Sequence, residues 1–191
     1  MLEELKVKME GIVTIKDAIT GEVILFQHNK IHPENMALAI VQSLGNKTDV
    51  GPIKSMAFGN GAAYVSGVGG ITYLSPNTIG INASLYNQTY SKTVDNNNTT
   101  NIDQSNNNET WTHVNGNLFS DLTVTCTLEY NEPTGQNLID NASTTTAPYV
   151  FNEIGLIGYS GRLLTHCIFS PVEKSSNRIF AITYVLRTTM V

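Results

Sequence analysis

Apolar and polar residues alternate most regularly between Leu118 and Tyr130. Leu118, Leu122, Val124, Cys126, Leu128 and Tyr130 share one face with Ser120, and Phe119, Asp121, Thr123, Thr125, Thr127 and Glu129 share the other. This is the period of a strand with one core side and one mostly wet side. The C-terminal part of the chain differs. Val150, Ile154 and Leu156 alternate with Phe151 and Ile157, and Ile179 to Leu186 is nearly unbroken, so these strands carry apolar residues on both faces and need cover on both. Between them Gly158-Tyr159-Ser160-Gly161 predicts a tight turn, Arg162 to Phe169 a returning strand, and Ser170-Pro171 a break before a final strand from Arg178 to Met190.

Earlier in the chain, Gly11 to Ile15 and Glu22 to Phe26 flank Asp17-Ala18-Ile19-Thr20-Gly21, which predicts a hairpin. Pro33 suits a first helical position, Glu34 the positive end of the helix dipole and Gly45 an exit, so a helix is predicted over 33–44. Its apolar residues Met36, Ile40, Val41 and Leu44 form one stripe, enough to cover one sheet face. Ile53 to Phe58 reads as a strand that opens into the glycine-rich run Gly59 to Gly70, and Ile71 to Val94 as a polar-aromatic arm or a pair of loose strands. Asp95 to Thr110 is an Asn tract too poor in apolar groups to pack by itself, hence a surface loop tolerant of change. Glu132-Pro133-Thr134-Gly135 is a turn.

These elements predict one mainly β domain over residues 1–191. It is an antiparallel β-sandwich with one short helix near 33–44, an extended arm near 59–94 and an Asn-rich surface loop near 95–110. One helix covers one face only, so the remaining cover for the C-terminal strands is expected from neighbouring copies or partners. Composition agrees with this class. The 191 residues are 41% hydrophobic and only 14% charged, and a chain of this size can bury about 70% of its unfolded surface. The net charge of −5 lacks the basic footprint of a nucleic-acid binder. The acidic N-terminal residues do not form a secretory signal, and no stretch approaches the ~20 apolar residues of a membrane span. Cytosolic synthesis follows as the expectation.

Candidate chemistry is sparse. Cys126 and Cys167 lie within apparent strands and read as buried free thiols. His28, His32, His113, His166 and Cys167 show no metal-ligand spacing, so no metal and no cofactor are expected. Gly59 to Gly70 lacks the Lys-Ser/Thr ending of a phosphate loop, and Gly158-Tyr159-Ser160-Gly161-Arg162 falls short of a nucleophile elbow. Closing the C-terminal hairpin with Gly158 opposite Leu163 brings His166 one diagonal from Glu153. That pair reads as a cross-strand hydrogen bond, or as an acid/base pair that lacks a nucleophile, and no enzyme is expected.

Val150-Phe151-Asn152-Glu153-Ile154-Gly155-Leu156 followed by Gly161-Arg162-Leu163-Leu164-Thr165 resembles a hairpin of tailed-bacteriophage tail-collar and fibre-attachment domains. The runs Ile31 to Met36, Met56 to Gly61 and His166 to Ser175 are similar to small structural proteins of phage heads and tails. The resemblance implies a virion protein assembled in the host cytoplasm: a β-sandwich ring or adaptor subunit at the neck or tail that links portal, tail and fibres. In short-tailed or crAss-like phages such a ring would hold about twelve copies, in closed cyclic symmetry. Its partners would be itself and other tail, portal or fibre proteins, with no membrane and with DNA only as passing cargo. Fibre-attachment families usually continue into a long fibre, which favours a ring component here. The alternatives are a capsid decoration or fibre-anchoring protein, or a small β-sandwich binding module outside a virion. The expected subunit-interface residues are Phe58, Asn60, Tyr64, Tyr73, Tyr86, Tyr90, Phe151, Ile157 and Tyr184.

Overall fold

The computed structural model describes residues 5–45, 53–67, 69–138 and 146–191. Two five-stranded antiparallel sheets pack face to face as a β-sandwich. The first sheet runs in the order β2 (Val23–His28), β1 (Val7–Asp17), β12 (Phe180–Met190), β9 (Phe119–Leu128) and β8 (Asn108–His113). The second runs β3 (Lys30–Ile31), β11 (Thr165–Glu173), β10 (Val150–Ile157), β4 (Ser55–Gly59) and β7 (Gln88–Thr93). A small hairpin of β5 (Ala63–Val65) and β6 (Ile71–Tyr73) stands apart, and α1 (Pro33–Leu44) is the one helix among the described residues.

The predicted first hairpin is present: Asp17 Oδ1 accepts the N–H groups of Ile19 and Thr20, each at 2.9 Å, and Gly21 takes φ 76. The core lies between the sheets. Val13, Ile15, Val124, Cys126, Leu128, Ile182 and Tyr184 from one meet Met56, Phe58, Phe151, Ile154, Leu156 and Phe169 from the other. The regular alternation of β9 therefore holds at Val124, Cys126 and Leu128, whereas Leu118 and Tyr130 lie outside the strand and are exposed. Cys126 and Cys167 are buried free thiols, and burial pushes each up to about 12.

Helix α1 has the predicted bounds but a different buried face. It packs on the core through Met36 and Ala39, while Val41 and Leu44 are exposed. Its orientation is set by polar contacts: Asn35 is buried and donates its amide to the Leu163 carbonyl at 2.9 Å, and His32 Nδ1 accepts the Asn35 N–H at 3.2 Å as the N-cap.

The second face of β10 is covered from within the chain, whereas the outward residues of β12, Ala181, Thr183 and Val185, are half-buried. Residues 74–87 cross the outer face of the second sheet as a strap, and Leu85 packs there with Ala57, Leu163 and Ile157. The approach is close because the sheet omits side chains beneath the strap. A Cβ at Gly59 would lie 2.5 Å from the Asn87 carbonyl oxygen, and one at Gly61 2.6 Å from the Asn87 nitrogen. The chain then enters β7, which pairs with β4 from Ser55↔Thr93 to Gly59↔Gln88. The expectation of an extended arm is thus corrected for 74–94. The strap and the strand complete the chain's own sheet, and removing them would remove part of the fold.

The Asn tract is corrected as well. Its side chains replace apolar burial with hydrogen bonds that fold the tract on itself and fix it to β9. Asn101 Nδ2 donates to the carbonyls of Asp95 and Asn107 at 3.2 and 2.7 Å, and Asn107 Oδ1 accepts the Thr127 N–H at 3.0 Å. Asp95, Asn101 and Asn107 are buried, and the tract ends in β8.

Two substitutions test this architecture by denaturant unfolding. Asn107→Ala is expected to cost about 1–3 kcal/mol by orphaning the Thr127 N–H. In Gly155→Ala the new Cβ would lie 2.5 Å from the Thr165 carbonyl oxygen and 2.6 Å from Leu163 Cδ1, an overpacking expected to cost about 1–3 kcal/mol.

Candidate functional site: a buried carboxylate and imidazole beneath a strap

Strands β10 and β11 pair with Glu153 opposite Ile168 and Ile154 opposite Cys167. This register brings His166 Nε2 to 3.0 Å from Glu153 Oε2, with both side chains at 0% exposure. The cross-strand pair expected from the hairpin is therefore present. Its surroundings could not be read from the hairpin alone. Glu153 Oε1 accepts the N–H groups of Gly61 at 3.0 Å and Asn87 at 2.8 Å, and Oε2 accepts that of Tyr86 at 2.9 Å. His166 Nδ1 accepts the Asn77 N–H at 2.8 Å, and the Tyr86 ring stacks beside the imidazole at 5.7 Å between centroids.

The protonation state follows from the donors. A backbone N–H can only donate, so Nδ1 holds a lone pair, Nε2 carries the hydrogen, and the neutral ring donates to Glu153. The carboxylate receives four hydrogen bonds and has no place for a proton of its own. Burial acts to raise its pKa, but the hydrogen bonds from His166, Asn87, Tyr86 and Gly61 outweigh it and hold the carboxyl below its ordinary value. The arrangement ties the strap to the sheet. Both ring nitrogens are occupied, and among the described residues no hydroxyl or thiol is bonded to either.

Neighbouring polar groups extend this fastening. Asn152 Oδ1 accepts the Ala62 N–H at 3.0 Å and its amide donates to the Asn60 carbonyl at 3.1 Å, while Asn60 Oδ1 accepts from Asn87 Nδ2 at 2.6 Å. On the far side of the strap, His32 Nε2 lies 3.1 Å from the Gly80 carbonyl oxygen. Because His32 Nδ1 already accepts at the helix cap, Nε2 is the donor there. Sequence reasoning missed Asn60, Asn152 and His32 in these roles. Only the adjacency of Asn152 to Glu153 hinted at a shared polar task.

The residues expected at a subunit interface separate into three groups. Phe58, Phe151 and Tyr184 are at most 1% exposed and lie in the core, Phe58 stacking with Phe151 at 5.1 Å and Tyr90 at 6.3 Å. Asn60 is buried in the polar network. These four are corrected to internal positions, because three face the core between the sheets and Asn60 is bonded into the polar network. Tyr90 and Ile157 are half-buried against the core clusters. Tyr64, Tyr73 and Tyr86 are exposed. The largest exposed aromatics lie elsewhere, on the outer strands of the first sheet: Phe26 in β2 at 66% and Trp111 in β8 at 78%.

An open groove of about 390 Å³ lies beside His166, lined by Gln27, His28, Lys30, Tyr73, Pro76 and Ser170. Among the described residues no three His, Cys, Asp or Glu side chains converge as a metal site, and no helix is long and apolar enough to cross a membrane. Comparison with protein-family profiles, curated proteins and solved structures finds no match for the chain.

Two pH dependences follow. Glu153 is lowered in the folded chain, so its stabilising contribution is present above its ordinary value of 4.5 and is lost as pH falls through the lower folded value. Glu153→Gln is expected to cost about 3–5 kcal/mol at neutral pH and to flatten the acid limb of a stability–pH curve. Glu109 behaves oppositely. Burial, and then Asp95, push its carboxyl up to about 7 from 4.5, and its Oε1 is buried without a hydrogen-bond partner. Its contribution is present below 4.5 and lost as pH rises through about 7. Glu109→Gln is expected to gain about 2–3 kcal/mol relative to the parent when pH rises from about 5 to about 8, measured by urea unfolding at each pH.

Proposed function

We propose that the chain is a non-enzymatic structural subunit of a phage particle, one copy of a ring or adaptor at the neck or tail. The observation that carries a ring is the placement of two open edges on opposite sides of the first sheet. Strand β2 presents Phe26 and β8 presents Trp111, so one chain offers two different surfaces. Contacts between unlike surfaces run head to tail and terminate when the ring closes. Edge strands are also the surfaces that join other chains most readily. On β8 the side chain of Asn96 occupies the edge at Glu109, donating to its carbonyl at 2.9 Å and accepting its N–H at 3.0 Å, which leaves Trp111 to His113 as the open part.

The resemblance of the Val150–Leu156 and Gly161–Thr165 runs supports the virion setting, and portal symmetry supports about twelve copies. An acidic ring around a DNA conduit would avoid phosphate contacts with passing cargo. The same surfaces serve contacts with portal, tail or fibre proteins. The Glu153–His166 pair acts in this reading as a fastener that keeps the sandwich rigid.

The open groove beside Tyr73 supports a second reading, a small β-sandwich binding module outside a virion. Native mass measurement separates the two. The ring reading expects a cyclic assembly that Phe26→Lys and Trp111→Lys each reduce to monomers. Mixing the two variants is expected to restore one interface and give dimers. A folded parent chain that stays monomeric at high concentration and is absent from particles would sink the ring, and glycan binding lost on Tyr73→Ala would favour the module.

A further inference from the structure

His166 joins two groups that a proton would separate. Its Nε2 faces Glu153 and its Nδ1 lone pair holds the Asn77 N–H at 2.8 Å. Residues 75–79 lie between two tethers, the Leu74 N–H on the Ala62 carbonyl at 2.9 Å and the Gly80 carbonyl on His32 Nε2 at 3.1 Å. Neither tether changes when an imidazole gains a proton, because His32 Nε2 is already a donor. Asn77 is the point between them at which a backbone group is bonded to the sheet. The segment's other bonds stay within the strap, the Ser75 carbonyl accepting from the Tyr86 hydroxyl at 2.7 Å and Asn77 Nδ2 donating to the Ser84 carbonyl at 3.1 Å, both exposed to solvent. Leu74 and Pro76 also form one wall of the open groove, whose floor includes His166.

We infer that residues 75–79 are a proton-released flap on this groove: uptake of a proton at His166 Nδ1 expels the Asn77 N–H and takes away the flap's bond to the sheet, leaving it held by its two tethers and by solvent-exposed bonds within the strap. The proton comes from solvent and no other bond is made or broken covalently. Two donors cannot share the 2.8 Å between Nδ1 and the Asn77 nitrogen. The imidazolium formed has its counter-charge in place, since Glu153 from β10 already contacts Nε2. The other titratable groups around it are Tyr86 of the strap, Tyr73 of β6, Cys167 beside it on β11, Lys30 paired with it on β3, and His28 in the groove lining. Lys30 opposes the new charge, and the contacting Glu153 carboxylate favours it more strongly because it is hydrogen-bonded and buried. Tyr86 and Asn87 stay fixed, because their N–H groups are held by Glu153 rather than by the ring. The released state therefore opens the groove toward His166 without loosening the sandwich.

Amide hydrogen exchange by NMR on the full chain, with the ring nitrogens of His166 followed in the same samples, tests the flap between about pH 7.5 and about pH 5.5, the range in which imidazoles titrate. After correction for intrinsic exchange, Asn77 is expected to lose about tenfold or more of its protection as Nδ1 becomes an N–H, while Asn87 and Tyr86 keep theirs. Protection lost together at Asn77 and Asn87 would mean global loosening and would overturn the flap. So would an Asn77 that stays protected while the ring is protonated, or a ring that takes up no proton across the range. In His166→Gln, if it folds, Asn77 protection is expected to become independent of pH over this range, and a retained pH response would also overturn the inference. The measurement is independent of assembly, so failure of the ring and failure of the flap are distinguishable.

Discussion

A carboxylate at zero exposure must be surrounded by donors, and this requirement at Glu153 organises half of the second sheet. One donor is the cross-strand His166. The other three are backbone N–H groups from Gly61, Tyr86 and Asn87, which lie far from Glu153 in sequence and must be brought over the sheet to reach it. Satisfying them fixes the path of the strap. The strap in turn needs a sheet surface low enough to approach, and Gly59, Gly61 and Gly155 leave no side chain where it passes. The polar centre and the missing side chains are one device.

That device also resolves why β10 is apolar on two faces. One face meets the first sheet, and the other lies under Leu85 and the strap. Strands of this kind need a second layer, but the layer can be an irregular segment of the same chain when its backbone groups find partners. Here Glu153, His166, Asn152 and His32 provide them. The side chains buried in β10, β4 and β12 are unavailable to a neighbouring chain, and the proposed assembly rests instead on the exposed Phe26 and Trp111 of the outer strands.

The Asn-rich stretch shows the same principle in a different composition. It has little apolar surface, yet Asp95, Asn101 and Asn107 are buried because each replaces water with a protein hydrogen bond. Short amide side chains reach backbone groups a few residues away and build turns without a hydrophobic core. Low apolar content alone is therefore a poor guide to whether such a stretch is ordered.

Much of this was legible in the residues. The strict alternation around Val124 to Leu128, the Asp17-to-Gly21 turn and the Pro33 helix start are local signals, and local stereochemistry fixed β9, the first hairpin and α1 as expected. The two-faced pattern of β10 and the spacing of Glu153 and His166 across a tight hairpin determined that both faces would be covered and that the two side chains would meet. What covers the outer face was decided by the tertiary structure, since the strap's polar-aromatic sequence has no period and its donors act through backbone groups that every residue carries. For the same reason Phe58, Phe151 and Tyr184 could not be told from surface aromatics until the packing was known: a side chain's identity gives its preference for burial, but only the closure of two sheets and a strap around it decides which chain does the burying.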